Sequence, residues 1–311
     1  MLWRVLVPLA IFVAVSAHGG DQWSINGFVI DDPLVPEQEL AHGGPPRDGI
    51  PSIDSPRFVA ADAAEFLSRK DRVLGIEYNG ISKAYPVRIL NRHEIVNDLY
   101  DENPLIVSWC PLCGSGVAFD GRVAGKNLEF GVSGLLYNSD VLLYDRSTES
   151  LWSQIMLKAI NGPLKGQSLK LLPMQHTTWQ DWRAKHPETL VLSTDTGFPD
   201  INYHFNPYAG YGSTNRLFFP VANQDRRLRN KDWVLGVFIG ETQKAYPLHE
   251  LRKFESPIQD KIGQQSVSIE FDDANQTASA YDEKGLPLQS IQLYWFAWAA
   301  FYPDTELFGD P

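Results

Sequence analysis

One stretch of this chain occurs twice, and that repeat limits the folds open to it. Asp71 to Glu94 reads D-R-V-L-G-I-E-Y-N-G-I-S-K-A-Y-P-V-R-I-L-N-R-H-E. It aligns without a gap to Asp232 to Glu255, D-W-V-L-G-V-F-I-G-E-T-Q-K-A-Y-P-L-H-E-L-R-K-F-E, with ten of 24 positions identical. A second echo follows in the same order. Trp179 to Thr189 (W-Q-D-W-R-A-K-H-P-E-T) resembles Trp295 to Thr305 (W-F-A-W-A-A-F-Y-P-D-T). Two echoes in one order imply duplication of a whole unit.

Each unit reads alike. Val73 to Tyr78 has strand character, Asn79-Gly80 is a hairpin turn, and Ser82 to Tyr85 is the returning strand. Further strands are predicted at Leu105 to Trp109, Val117 to Asp120, Leu128 to Val132 and Val141 to Tyr144, and a helix at each W-x-x-W. The expected fold class is α+β, mainly antiparallel β with short helices, in two related lobes from the internal duplication. The predicted organisation is a signal peptide at 1–17, an N-terminal arm with a short helix at 18–70, lobe one at 71–192, a connecting region at 193–231 and a degenerate lobe two at 232–311. In the arm, Ala41 to Pro56 is too rich in Gly and Pro for regular helix. Ala60 to Arg69 is predicted helical from its Ala, Glu and Leu content.

The N-terminus carries Arg4, an apolar run from Val5 to Val15 and the small-residue site Val15-Ser16-Ala17. That pattern predicts a cleaved secretory signal and hence an exported protein. The run is too short for a bilayer, which takes ~20 residues, so no stable membrane span is expected. A net charge of −11 disfavours nucleic acid as a partner. No phosphate-binding glycine loop or H-E-x-x-H is present, and Gly131-Val132-Ser133-Gly134 is one residue short of a nucleophile elbow.

The only cysteines are Cys110 and Cys113, in S-W-C-P-L-C-G-S-G. A disulfide between them would close a loop contributing only about 2 kcal/mol, against ~4.7 for a 100-residue loop. Coordination or redox chemistry is the stronger use of such a pair. A turn of this kind between two strands has the shape of a metal knuckle, with glycine allowing a left-handed residue. Two thiolates leave a tetrahedral site incomplete. Copy two has Phe254 opposite His93 and lacks both cysteines. The joint loss makes His93, Cys110 and Cys113 the candidate metal ligands, for copper or zinc, with copper favoured outside the cytosol. Cys110 and Cys113 are also the candidate catalytic thiols. Phe130 to Gln154 has no counterpart in copy two and offers Asp140, Asp145, Trp152 and Gln154 as candidate cofactor-binding groups. His42 and His204 are spare ligand candidates.

The strings H-E-I-V-N-D, W-C-P-L-C-G-S, F-G-V-S-G-L-L-Y-N-S-D, Y-D-R-S-T-E-S-L-W-S-Q, G-G-P-P-R-D-G-I-P and N-P-Y-A-G-Y resemble a bacterial and archaeal family, domain of unknown function 3179. The resemblance implies export and marks His93, Cys110 and Cys113 as motif positions. It supplies no activity. Here Gly212 follows Tyr211 where related motifs often carry Asp. The function expected is an exported protein with a metal or redox centre acting on a small molecule or metal ion. The alternatives are a thiol–disulfide oxidoreductase of exported proteins and a non-enzymatic ligand-binding protein.

Overall fold

The computed structural model describes residues 23–309. The signal peptide expected at 1–17 lies outside them. Five sheets of three to five strands form a five-bladed β-propeller arrangement, with only short helices between. The first sheet runs, in spatial order, Gln175–Thr178, Arg72–Tyr78, Ile81–Pro86, Leu190–Leu192 and Phe58–Ala60. A second holds Leu171–Leu172, Ser115–Asp120, Asn103–Cys110 and Ile95–Tyr100. A third holds Lys158–Asn161, Leu151–Ser153, Asp140–Asp145, Phe130–Tyr137 and Leu40–His42. The fourth is Ser290–Tyr294, Trp233–Ile239, Thr242–Pro247 and Glu306–Leu307, and the fifth Ile258–Ile262, Gln265–Asp272 and Thr277–Tyr281.

The echoes of the sequence are explained by one hairpin, the helix on it and one carboxylate of the following sheet in each case. In both, V-L-G and K-A-Y-P lie on the two arms of a hairpin: Gly75 pairs with Ala84, and Gly236 with Ala245. A short helix packs on each, α1 (Trp179–Lys185) on the first and α2 (Trp295–Phe301) on the fourth. The glycines are there for these helices. A Cβ on Gly75 would stand 2.2 Å from the Trp182 ring, and one on Gly236 2.1 Å from the Trp298 ring. The indole N–H of Trp182 donates to Thr189, and that of Trp298 to Thr305, each at 2.9 Å. The repeated Lys and Tyr meet one carboxylate in each copy. Lys83 Nζ and Tyr85 Oη donate to Asp98 at 2.8 and 2.6 Å. Lys244 lies 2.8 Å from Asp260, to which Tyr246 Oη donates.

The expectation of two related lobes is overturned. The repeated segments build single blades of one closed arrangement, and the interior is shared between the two halves of the chain. The largest apolar cluster takes in Cys110, Phe130 and Trp152 together with Val234, Trp295 and Trp298. The edge of the fourth sheet is tied to the cysteine turn, with Tyr294 N–H donating to the Cys113 carbonyl at 2.9 Å. A helix at Ala60 to Arg69 is also absent: beyond Ala60 this segment forms turns. Ala61 and Ala64 are drawn into the cluster around Val73, Trp179 and Trp182, and tertiary packing overrides helix propensity. Phe254 keeps the backbone place of His93, its N–H donating to the Leu251 carbonyl as that of His93 does to Leu90, but its side chain is 52% exposed where His93 is fully buried.

The Gly/Pro arm is extended, as its composition requires. Gly43 N–H donates to the Gly134 carbonyl, Asp48 N–H to that of Val132, and Ile53 N–H to that of Ile95. It thereby clasps the second and third sheets, which carry the groups described next. Among the described residues no helix is long and apolar enough to cross a membrane.

Candidate metal centre

Cys110 ends the strand Asn103–Cys110 and pairs across the hairpin with Ser115, so a four-residue turn carries Cys113 back toward it. Gly114 closes this turn at φ 63, the left-handed region that favours glycine. A side chain there would also strike the Trp233 ring, 2.7 Å from a Cβ. Both thiols are free and buried, at 1% and 0% exposure.

A second hairpin meets this one. Tyr137 pairs with Asp140 across a two-residue turn, Asn138-Ser139, whose φ values of 51 and 63 mark a type I′ geometry. The turn is held by Ser139 Oγ donating to the Phe219 carbonyl and by Asn138 Oδ1 accepting from Ala222 N–H, each at 2.8 Å. Both thiols point at it. Cys113 donates to the Ser139 carbonyl at 3.4 Å and Cys110 at 3.8 Å. The next residue, Asp140, completes a cluster in which the two sulfurs and a carboxylate oxygen lie within 4.8 Å of one another. Asp140 Oδ2 accepts from Ile155 N–H at 3.1 Å, whereas buried Oδ1 has no hydrogen-bond partner.

Burial dominates the electrostatics. It raises the Asp140 carboxyl from 3.8 to about 7, although the Ile155 N–H and the thiols pull the other way. It raises both cysteines, helped by the negative charge of Asp140. Glu94, at φ 58, is fully enclosed; burial and then Asp140 lift it from 4.5 to about 8. Lys231 is the nearby cation. Burial lowers its ammonium to about 8, opposed by the charges of Cys113 and Cys110. Burial, and then the charges of Cys113 and Cys110, raise the Tyr211 hydroxyl, and Tyr211 shares the cysteines' apolar cluster. Tyr208, raised by burial and then by Glu94 and Cys110, comes from the same N-P-Y-A-G-Y loop.

The other residues singled out in the sequence are occupied elsewhere. His93 stands outside the cluster, with both ring nitrogens engaged. The Pro51 carbonyl can only accept, so Nδ1 carries the proton and donates to it at 2.7 Å. Nε2 must then accept from Tyr203 Oη, at 2.6 Å. His93 is thus a neutral tether between the arm and the Tyr203 loop, and burial holds it neutral by lowering its pKa. Asp145 closes its own turn, accepting from Ser147, Thr148 and the Trp152 indole. Gln154 bridges the cysteine hairpin, accepting from Ser115 Oγ at 2.5 Å and donating to Ser108 Oγ at 2.8 Å. Of the four candidate cofactor-binding residues, the fold brings Asp140 to the thiols; Asp145, Trp152 and Gln154 satisfy one another and the hairpin. His42 sits at the exposed edge, beside Asn26 and Gly44, and His204 is exposed.

The family model described as "Protein of unknown function (DUF3179)" matches residues 47–286. The chain belongs to this family. The DUF3179 match takes in Glu94, Cys110, Cys113, Asp140, Tyr211 and Lys231, and ends before Tyr294. No curated protein and no solved structure matches the chain.

Proposed function

We propose that Cys110, Cys113 and Asp140 bind one divalent transition-metal ion, and that the protein is an exported metalloprotein working through this centre on a small molecule. The observation that carries the proposal is the convergence of two sulfurs and a carboxylate within 4.8 Å, with one carboxylate oxygen left unpartnered in a buried site. Two thiolates on a tetrahedral zinc, each at ~2.3 Å, stand ~3.8 Å apart, inside the 4.8 Å that encloses the three donor atoms. A hard carboxylate in place of an imidazole favours zinc(II) over copper(I), which prefers soft donors alone. Charge supports a dication. Two thiolates and a carboxylate carry three negative charges; a dication and the Lys231 ammonium neutralise them. Three protein ligands leave a fourth position for an exogenous ligand, the pattern of a reactive zinc site rather than a closed structural one.

Thiol–disulfide exchange fits less well. It needs a stabilised thiolate, and here burial and Asp140 push both thiols up. In an oxidising compartment a bound ion would also keep two neighbouring thiols from pairing.

The test is metal analysis of protein purified without chelator, beside Cys110→Ser and Asp140→Asn. Wild type holds about one equivalent, and each variant retains a small fraction of it, as expected when a ligand is removed. Equal metal in all three refutes the proposal. Export is checked separately, by the N-terminal sequence of the mature protein.

A further inference from the structure

Lys231 is only 8% exposed, and its Nζ has no hydrogen-bond partner. Its ammonium lies 3.3 Å from the Tyr211 ring centre, 4.5 Å from that of Phe296 and 5.3 Å from that of Tyr294. Aromatic faces attract a cation, but they do not replace the hydrogen bonds an ammonium gives up on leaving water. The Tyr211 hydroxyl is likewise buried without a hydrogen-bond partner, on a residue 4% exposed. The same enclosure lies against the thiols. Tyr294 donates its N–H to the Cys113 carbonyl, and its ring closes on Gly114, 3.1 Å from a Cβ there. Tyr211 belongs to the apolar cluster that contains both cysteines. Three polar groups without a hydrogen-bond partner therefore lie in the surroundings of one pair of sulfurs: Asp140 Oδ1 within the cluster, and the Lys231 ammonium and the Tyr211 hydroxyl, both of which feel the charge of the two cysteines.

The chemistry of these groups divides them. Asp140 Oδ1 is a metal donor. The ammonium and the hydroxyl are hydrogen-bond donors, and both call for an acceptor. We infer that the fourth ligand of the metal is a small monoanion, held against the ion by Lys231 Nζ and Tyr211 Oη. The ligand must be small, because the ammonium is packed among three aromatic rings. An anion accepts from both donors and gives the buried ammonium a hydrogen-bonded counter-charge, leaving one net negative charge over the three ligands, the dication and Lys231. The ligand class is thus a metal-bound anion of a few atoms, accepting two hydrogen bonds on the side away from the metal. Lys231 and Tyr211 act as binding residues for it. This rests on the metal reading above.

The experiment uses the whole protein loaded with cobalt(II), which reports thiolate ligation by its charge-transfer absorption and the fourth ligand by its visible bands. Azide is the monoanion probe. In wild type, azide shifts the visible bands saturably. In Lys231→Met the azide dissociation constant rises about tenfold or more, and in Tyr211→Phe about threefold, as loss of a charged and of a neutral hydrogen bond implies. The charge-transfer band persists in both. Azide binding that is absent in wild type, or unchanged in Tyr211→Phe and in Lys231→Met, overturns this inference and leaves the metal reading standing. A wild-type protein with no thiolate-to-cobalt band brings down both. Tyr211→Phe removes one oxygen atom and decides the matter alone should Lys231→Met fail to load.

Discussion

Replacing Asp140 by Asn should stabilise the metal-free protein at neutral pH while it cripples metal binding. The carboxyl is fully buried, and its pKa rises from 3.8 to about 7 on folding. Well below pH 3.8 both the folded and the unfolded chain hold the proton, and the group costs nothing. As pH climbs from about 4 to 7, the unfolded chain ionises while the folded one resists. The folded state then binds more protons, so stability falls with rising pH. At ~1.4 kcal/mol per pH unit, the rise to about 7 amounts to about 4 kcal/mol lost across that window. Asparagine never ionises and still accepts from Ile155 N–H. Metal-free Asp140→Asn is therefore expected to gain about 2–4 kcal/mol over wild type at pH 8 and to lose most of the difference at pH 4. Urea unfolding of chelator-treated protein at several pH values measures this directly. Glu94, raised from 4.5 to about 8, adds a second decline in the window above pH 4.5, of which the variant retains the part due to burial and loses the part due to the Asp140 charge. A variant less stable than wild type at pH 8, or equal to it at every pH, would refute the view that Asp140 is kept for coordination at a cost in stability.

Three further outcomes follow from the packing. Gln154→Ala removes the amide that bridges Ser108 and Ser115, leaving two enclosed hydroxyls unpartnered; chemical denaturation should show a loss of about 2–4 kcal/mol. Lys83→Met leaves the buried Asp98 carboxylate of the second sheet without its cation and should cost about 3–5 kcal/mol, most of it restored by adding Asp98→Asn in a double-mutant cycle. Gly236→Ala drives a methyl into the Trp298 ring and should cost about 1–3 kcal/mol or more, with a matching fall in melting temperature.

The local structure was legible where turn chemistry and strand pattern act over a few residues. Asn79-Gly80 does turn the hairpin it predicts, with both residues at positive φ, and the W-x-x-W segments are helices. Gly114 takes the left-handed conformation that the C-P-L-C-G turn calls for. The assembly was not legible. An internal repeat signals duplicated units but is silent on whether they form separate lobes or blades of one ring, because that choice is made by distant contacts such as Tyr294 on Cys113.

The same limit applies to the site. His93 looked like the natural third ligand by residue type, yet its two hydrogen bonds bind it to the arm and to Tyr203. Asp140 carried a signal, since it lies in the segment unique to the first copy, but so did Asp145, Trp152 and Gln154. Only the meeting of two hairpins separates the one that reaches the thiols. Lys231 and Glu94 are single charged residues with no motif of their own. Tyr211 stood in the N-P-Y-A-G-Y string, a signal noted without a role.

The most direct test is X-ray absorption at the metal edge of protein purified without chelator. The account predicts two sulfur scatterers at about 2.3 Å and at least one oxygen at about 2.0 Å, with a sulfur lost in Cys110→Ser. A first shell free of sulfur, or one unchanged in that variant, would contradict it.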